Sequence, residues 1–445
     1  MVSIPDSQLS ISDAGFPSTI PVLPAFARDI AAESKTVSNL AKYIPRLRNS
    51  HRGDYMTKQT GKESDIDLEN GESEIGNQIK DAIELTLLPG VGNLAQGRIQ
   101  KALHEISDIF SMEAKALEAL GIPDEARPLI RSRSYRALAE EIYDWATREK
   151  CGFLLRGRQG YPSLLEEIYD PPLLLYARGH LEVLEMACVA IVGTRKPTIY
   201  GLQMAQGLAS DLGGRGIGIV SGLARGIDGA AHRGCIDGNG CTIAVLGCGI
   251  DVVYPREHQN LTEQILKKGL LLSEFPPGTS PAPQNFPIRN RIISGLSWGT
   301  TIVEANEYSG SLITARLAME QNREVFALPG NLTSPQSFGP NFLIKQGAKL
   351  VQTWRDIVEE LPPEVRKEIF IKEDAKTPEK PDLELLSEEE IGLLKLLKAD
   401  EAIQFDRIYR CSGFSISQLS DLLLNLEMAG RIRQLPGNLY VKTRK

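Results

Sequence analysis

Arginines and small polar residues follow several short apolar runs of the chain, in positions where they could bind phosphate. Gly193, Thr194 and Arg195 end the first such run, and Arg225 lies just after the second. Guanidinium groups offer planar, forked donors to phosphate, and small residues let backbone N–H groups approach it. The candidate ligands are Gly193, Thr194, Arg195, Ser221, Gly222, Arg225, Arg256, Phe286, Arg289, Asn290, Arg291, Ser309, Gly310 and Ser311.

Aromatic residues accompany these arginines. Tyr254, Phe275 and Phe286 could stack on unpaired bases, and each stacked base contributes about 1–3 kcal/mol. A groove that combines arginine, backbone donors and a few aromatic rings suits single-stranded nucleic acid. For any one arginine the alternative is a surface ion pair, but this alternative weakens when all of them follow strand ends.

Other chemistry is poorly supported by the motifs. No G-x-G-x-x-G follows the first strand and no G-x-x-x-x-G-K-[ST] occurs, so a nicotinamide enzyme or a phosphate-loop ATPase is disfavoured. Asp228 and His232 are four residues apart and could share a helix face for acid–base work. A helix cap at Asp228 and a buried polar contact at His232 are the preferred interpretations. We therefore predict no catalytic residue, metal or cofactor.

An alternation of strands and helices must position the candidate ligands. Residues 151–360 contain this pattern, which is typical of an α/β fold, an extended Rossmann-like doubly wound parallel sheet. The turns that follow its strands should meet at the carboxyl edge of the sheet and face one crevice. Phe286–Arg291 is expected to precede a helix at this edge.

Smaller domains flank the sheet. Residues 79–150 are predicted to form a helical domain, and Leu88-Pro89-Gly90-Val91-Gly92 resembles the turn of a helix-hairpin-helix. Such a turn either contacts a DNA phosphate through its glycine N–H groups or merely joins two helices, and both interpretations stay open. Residues 361–389 are predicted to be a linker. Residues 390–445 are predicted to be a winged helix, which binds DNA or protein. Residues 1–78 lack apolar periodicity and are predicted to be a disordered extension.

Composition limits the cellular setting. The 445 residues carry a net charge of −7, so any nucleic-acid site must be a local basic groove. The six cysteines show no C-x-x-C spacing, which indicates buried, reduced thiols in a cytoplasmic protein. No apolar stretch is long enough for a membrane span, and the first residues do not resemble a secretory signal.

Four motifs resemble the DNA-processing protein A (DprA/Smf) family. They are Ala190–Arg195, Ser221–Asp228, Phe286–Leu296 and Ser309–Ala315. The similarity extends over about residues 80–445. It implies a helical domain of helix-hairpin-helix or sterile-alpha-motif type before the Rossmann-like domain and a winged helix after it.

The resemblance also implies a function. Members of this family are non-enzymatic proteins that bind and protect single-stranded DNA in natural transformation and load the RecA recombinase onto it. They act as homodimers. Carried onto this chain, the direct phosphate ligand is Arg195, the basic residue after Tyr-Pro is Arg256, and the Arg-Asn-Arg motif is Arg289–Arg291. The dimer surface would lie near Phe338–Val351, and the RecA surface would overlap it.

One departure and two alternatives accompany this resemblance. Some members have a lysine just before the Phe-Pro pair, where this chain has Pro283, Gln284 and Asn285. This difference predicts weaker or less salt-sensitive binding. One alternative is a nucleoside monophosphate phosphoribohydrolase-like enzyme using Glu304, Arg195 and Gly310, but no Pro-Gly-Gly-x-Gly-Thr run is present. The other alternative is a scaffold whose DNA contacts are incidental.

Overall fold

The computed structural model describes residues 72–374, 387–398 and 401–443. The disordered extension predicted for residues 1–78 therefore lies largely outside the described residues. Its last residues, from Glu72 onward, belong to a helix that begins seven residues before the predicted start of the helical domain at residue 79.

A nine-stranded mixed sheet forms the centre of the protein. Its strands stand in the order β1-β2-β6-β5-β4-β3-β7-β8-β9, and all pairs from β6 to β9 are parallel. The two strands at the other edge, β1 and β2, pair antiparallel. In chain order the strands are β1 Gly152–Leu155, β2 Leu174–Gly179, β3 Cys188–Val192, β4 Gly218–Ser221, β5 Thr242–Leu246, β6 Leu270–Ser273, β7 Gly299–Ile302, β8 Glu324–Ala327 and β9 Lys349–Leu350.

Helices cover both faces of this sheet because its central strands are apolar on both sides. Val189 and Ile191 of β3 join one buried cluster, while Ala190 and Val192 of the same strand join another. Such two-sided burial explains the continuous apolar runs in the sequence. The covering helices are α6 Ser163–Glu166, α7 Ile199–Gly213, α8 Ile227–Asp237, α9 Gln259–Leu266, α10 Asn285–Gly295, α11 Gly310–Glu320, α12 Phe338–Lys345, α13 Trp354–Val358 and α14 Pro363–Asp374.

Two sequence expectations differ from these bounds. The segment Phe286–Arg291 was expected to precede a helix, but it lies inside α10, which places its side chains at helical spacing. The predicted linker, residues 361–389, begins instead with the helix α14. Ile369 of that helix is buried in the cluster that covers one face of the sheet, so an apolar contact extends the ordered region to Asp374.

A helical domain precedes the sheet and shares its core. Its helices are α1 Glu72–Leu87, α2 Asn93–Ala102, α3 Ala114–Ala119, α4 Ala126–Arg131 and α5 Arg136–Arg148, with a 3₁₀ turn at Ile106–Ser111. Ile83 and Ile99 of this domain belong to the same buried cluster as Leu246 and Leu271 of the sheet. The domain is therefore packed against the sheet through apolar contacts.

The last described region is a small winged-helix fold. It contains α15 Glu388–Leu396, β10 Ile403–Gln404, α16 Phe405–Ser412, α17 Ile416–Met428, β11 Ile432–Leu435 and β12 Leu439–Lys442. Its strands form a separate sheet in the order β10-β12-β11. Leu419, Leu422, Leu423 and Leu426 are buried along one face of α17. The predicted winged helix is confirmed.

The fold class predicted from the sequence, an extended Rossmann-like α/β sheet with helical and winged-helix regions, is confirmed. Of the six cysteines, four are buried, Cys241 is half-buried and Cys411 is exposed, so the expectation of buried thiols fails at Cys411. Among the described residues, no helix has the length and apolar character needed to cross a membrane.

Candidate nucleic-acid interface

The turns that carry the motifs meet at the point in the sheet where the strand order reverses. Strand β3 has β4 on one side and β7 on the other, so the chain leaves β3 at the point where crossovers go to opposite sides. Clefts at the carboxyl ends of parallel strands form at such switch points. The Thr194 N–H donates to the Glu304 carbonyl at 2.7 Å, and the Thr194 carbonyl accepts from Ile227 N–H at 3.3 Å. The turns after β3, β4 and β7 are therefore joined directly.

Glu304 fixes the start of helix α7. Its buried carboxylate accepts from the Thr198 backbone N–H at 2.8 Å and from the Thr198 hydroxyl at 2.5 Å. A Cβ atom at Gly201 would lie 2.2 Å from Glu304 Oε2, so only glycine fits there. Both carboxylate oxygens are used in holding the helix start.

The buried Asp228 side chain joins the turns after β3 and β4. Its buried carboxylate accepts hydrogen bonds from the N–H groups of Gly222, Ala224 and Gly193, which belong to two different turns. Burial raises the pKa of Asp228, and these hydrogen bonds together with the nearby Arg289 charge oppose that shift. The expected helix-capping role is wrong, because Gly226 is the N-cap residue of α8 and the Asp228 carboxylate bonds to the turns instead.

Arg195 is the exposed arginine of the first turn. Its guanidinium carbon lies 5.0 Å from the centroid of the half-buried Phe286 ring. The Phe286 ring in turn lies 5.7 Å from the Tyr254 ring, which is 39% exposed. A cation resting on an aromatic face is held in place without losing its hydrogen-bond donors. One guanidinium and two rings thus form a continuous surface, which we call the arginine–aromatic platform (Arg195, Phe286 and Tyr254).

Two further arginines lie at the rim. Arg225 and Arg256 are both exposed, and Arg225 forms an ion pair with the equally exposed Glu257. Arg256 forms no ion pair with any residue in the described part of the chain. Lys196, which was not among the predicted ligands, is also exposed beside Arg195. Its position directly after the Gly-Thr-Arg turn was the signal that could have identified it.

The arginines of α10 have a different role from the one expected. Arg289 is 3% exposed and donates to the Gly222 carbonyl at 2.7 Å and to the Val245 carbonyl. It holds the ends of β4 and β5 together beneath the crevice. Burial lowers the pKa of Arg289 to about 10, which leaves it charged at neutral pH.

Arg291 is likewise buried, at 4% exposure. It pairs with Glu274 through Nη2 and with Asp170 through Nε at 3.2 Å. The prediction that Arg289 and Arg291 face the crevice as phosphate ligands is therefore wrong. They lie on a helix that packs against the sheet, and carbonyl or carboxylate groups already occupy donors of both. Asn290, between them, is half-buried.

The small residues of the predicted site also divide into buried and exposed ones. Ser221 is fully buried and donates to the Ile191 carbonyl at 2.7 Å, so it links strands rather than facing solvent. Gly222 is also buried. Gly193 is half-buried, and a Cβ there would lie 2.6 Å from Ile227. Ser309 caps helix α11 by accepting from Ser311 N–H, next to the exposed Gly310.

His232 has the structural role that the sequence favoured. Its Nδ1 lies 2.7 Å from the Thr242 hydroxyl, which itself donates to the Ile219 carbonyl. The imidazole is fully buried, and burial lowers its pKa to about 3. A neutral imidazole enclosed between a helix and a strand is not placed for acid–base catalysis on an external substrate.

The turn at residues 88–92, which resembles a helix-hairpin-helix turn, faces the protein in part. Val91 is buried, and its carbonyl accepts from the Gln96 side chain at 2.9 Å. Gly90 adopts φ 69° against Pro123, and the Asn93 side chain hydrogen-bonds to Glu274 beside the sheet. These contacts account for the turn as a connection between the helical domain and the sheet.

The groups at this crevice are suited to binding an anionic polymer. The crevice offers exposed guanidinium groups, two aromatic faces and helix starts near one another. No group of three or more potential metal ligands occurs in the described ranges 72–374, 387–398 and 401–443. Glu304, the acid of the hydrolase alternative, is buried and engaged by Thr198, so that alternative is not favoured.

Comparison with known proteins agrees with the fold and the motifs. Residues 152–362 match the family described as DNA recombination-mediator protein A, and residues 376–438 match the DprA winged helix domain. Protein Smf of Escherichia coli strain K12 is 37% identical over 366 residues, which cover 80% of this chain and 95% of that protein.

Two further relatives carry the DprA name. DNA processing protein DprA of Bacillus subtilis is 50% identical over 203 residues, covering 45% of this chain and 68% of that protein. The X-ray structure of DNA processing protein A from Streptococcus pneumoniae superimposes with a TM-score of 0.56 at 33% identity. It covers 66% of this chain and 99% of that chain. On this evidence the chain belongs to the DprA/Smf family of DNA processing proteins.

Proposed function

We propose that the protein binds single-stranded DNA without sequence preference, through phosphates and bases at the crevice formed by the turns after β3, β4, β5 and β7. The observation that carries this proposal is the arginine–aromatic platform. Arg195 is exposed and rests on Phe286, which touches Tyr254, so a phosphate donor and two stacking faces are adjacent. Unpaired bases expose the faces that such rings need, whereas a duplex keeps its bases stacked inside.

The phosphate ligands proposed here are the exposed arginines. Arg195, Arg225 and Arg256 keep their guanidinium groups at the surface, and the exposed Gly310 lies at the start of helix α11. The backbone N–H groups of Gly193 and Thr194 are bonded to Asp228 and Glu304, so these two residues shape the turn. The buried members of the predicted set support the turns from within. These are Ser221, Gly222, Arg289, Arg291 and Ser311.

We further propose that the bound strand is protected and passed to the RecA recombinase during DNA uptake and recombination, as a binding protein without catalytic activity in the cytoplasm. A homodimer through Phe338–Val351 is part of this proposal. Phe338 is 47% and Leu350 is 40% exposed within that segment, and Phe338 stacks on Phe342. Apolar groups left at the surface of a single chain are typical of a contact with another chain.

A binding titration tests the proposal. A labelled 40-nucleotide single strand and the matching duplex are titrated with the full chain at several salt concentrations. We expect tighter binding to the single strand and a log–log salt slope of about −0.7 for each phosphate contacted. Equal affinity for both forms, or release of base from nucleoside monophosphates in the same preparation, would contradict it.

A further inference from the structure

Arg225 and Glu257 form a two-pronged ion pair at the rim of the crevice. Arg225 Nη2 donates to Glu257 Oε2 at 2.7 Å, and Arg225 Nε donates to Oε1. The side chains are 59% and 52% exposed. Arginine binds phosphate with the same parallel pair of N–H donors. The carboxylate therefore occupies the donors that a phosphate of the bound strand would use.

The pair lies close to the arginine–aromatic platform. Gly226, directly after Arg225, packs so tightly on the first turn that a Cβ there would lie 2.4 Å from the Thr194 carbonyl. His258, directly after Glu257, bonds through Nδ1 to the Leu223 carbonyl at 3.0 Å. These two contacts hold the backbone beside Arg225 and Glu257 against the turns after β3 and β4, so both side chains start next to the crevice.

Resting on the proposed function, we infer that Glu257 is an internal competitor that masks a phosphate site at Arg225, and that a single strand engages this site only by displacing the carboxylate. The platform around Arg195 binds first, because no carboxylate in the part of the chain that the structure describes pairs with its guanidinium. Arg225 adds a contact only when the strand is long enough and the local phosphate concentration high enough to replace Glu257.

The energetics of the pair allow this exchange. An ion pair between two exposed side chains contributes little to stability, because solvent screens both charges. Replacing one anion by another around Arg225 leaves no charge buried without a partner. The buried pair of Arg291 with Glu274 differs in this respect, because breaking it would strand a charge inside the protein.

The competitor is present throughout the physiological pH range. The hydrogen bond from Arg225 holds the pKa of Glu257 below its ordinary value, and the same contact raises the pKa of Arg225. The carboxylate is thus ionised at pH 6 to 8, and protonation does not release Arg225 there. The masking of Arg225 therefore does not change with pH in this range. It makes single-strand binding weaker and easier to reverse, which suits a protein that transfers its DNA to a recombinase.

The test replaces Glu257 by its neutral isostere. Glu257→Gln should bind a 40-nucleotide single strand about five-fold more tightly at 0.1 M salt, the change expected when a competing exposed pair is removed. Its log–log salt slope should steepen by about 0.7, the value of one additional phosphate contact. Glu263→Gln is the matched control, because it removes the same charge from an exposed side chain six residues further on.

The outcomes separate this inference from the proposed function. A gain at Glu257→Gln that is absent in Glu263→Gln and lost again in the double variant Arg225→Ala/Glu257→Gln supports the masked site. Unchanged or weaker binding of Glu257→Gln overturns it and leaves the crevice assignment intact, provided that Arg195→Ala still weakens binding. An equal gain in both glutamine variants also overturns it, since net charge would then be the cause. Failure of Arg195→Ala to weaken binding counts against the proposed function itself.

Discussion

Individual arginines near the carboxyl ends of the strands have two kinds of surroundings. Arg195 and Arg256 keep their donors at the surface, whereas Arg289 and Arg291 donate to groups inside the protein. The sequence located all four near strand ends but could not distinguish them. The direction of a side chain on α10 depends on how that helix packs. The helix mixes polar and apolar residues, so its sequence does not indicate which face is buried.

At the same scale, Phe286 is expected to contribute stacking energy rather than charge. Phe286→Ala should weaken binding of a single strand by about 1–3 kcal/mol, because a base loses its aromatic face. The salt slope should stay close to that of the wild type, since no phosphate ligand is removed. Fluorescence anisotropy at three salt concentrations measures both quantities. Tyr254→Phe, which keeps the ring, is the control, and wild-type affinity in Phe286→Ala would contradict the stacking role.

His232 should make stability depend on pH. Its pKa is about 3 in the folded protein and about 6.5 when unfolded, so the unfolded chain binds the extra proton. The contribution of the neutral, buried His232 to the free energy of unfolding is complete above pH 6.5 and is lost progressively as the pH falls towards 3. Between pH 7.5 and pH 5 the wild type should lose about 2 kcal/mol of unfolding free energy relative to His232→Asn. Urea unfolding at both pH values measures this difference, and parallel pH profiles would be inconsistent with a buried neutral imidazole.

At the scale of elements, the crevice depends on contacts that join turns far apart in the sequence. Glu304 holds the start of α7 through Thr198, 106 residues earlier, and Asp228 binds N–H groups of two turns. The alternation of strands and helices could be predicted because each apolar run reports its own burial. The roles of Glu304 and Asp228 could not, because hydrogen bonds between distant segments leave no local pattern.

Gly201 tests the tight contact between α7 and Glu304. In Gly201→Ala the new Cβ would lie 2.2 Å from the carboxylate, so we expect a loss of about 1–3 kcal/mol of unfolding free energy from overpacking. Gly207→Ala on the same helix is the control, because no atom lies within 4 Å of its added Cβ. That control should gain up to about 1 kcal/mol from helix propensity. Equal stability of the two variants, measured by urea unfolding, would argue against the contact.

At the scale of the whole molecule, an acidic chain carries a local basic rim. The net charge is −7, so the proposed attraction to DNA must come from the few exposed guanidinium groups at the crevice rather than from overall charge. Helix α17 of the winged helix contains no lysine or arginine and exposes Ile416, Leu424 and Met428. That surface resembles a protein contact more than a DNA contact, and composition alone could not decide between them.

The most direct test of the account compares Arg195→Ala with Arg131→Ala in single-strand binding across salt. Both variants remove one exposed arginine, but only Arg195 belongs to the arginine–aromatic platform. We predict weaker binding and a log–log slope shallower by about 0.7 for Arg195→Ala, with wild-type behaviour for Arg131→Ala and unchanged circular dichroism for both. Wild-type affinity and slope in Arg195→Ala would show that the strand binds elsewhere.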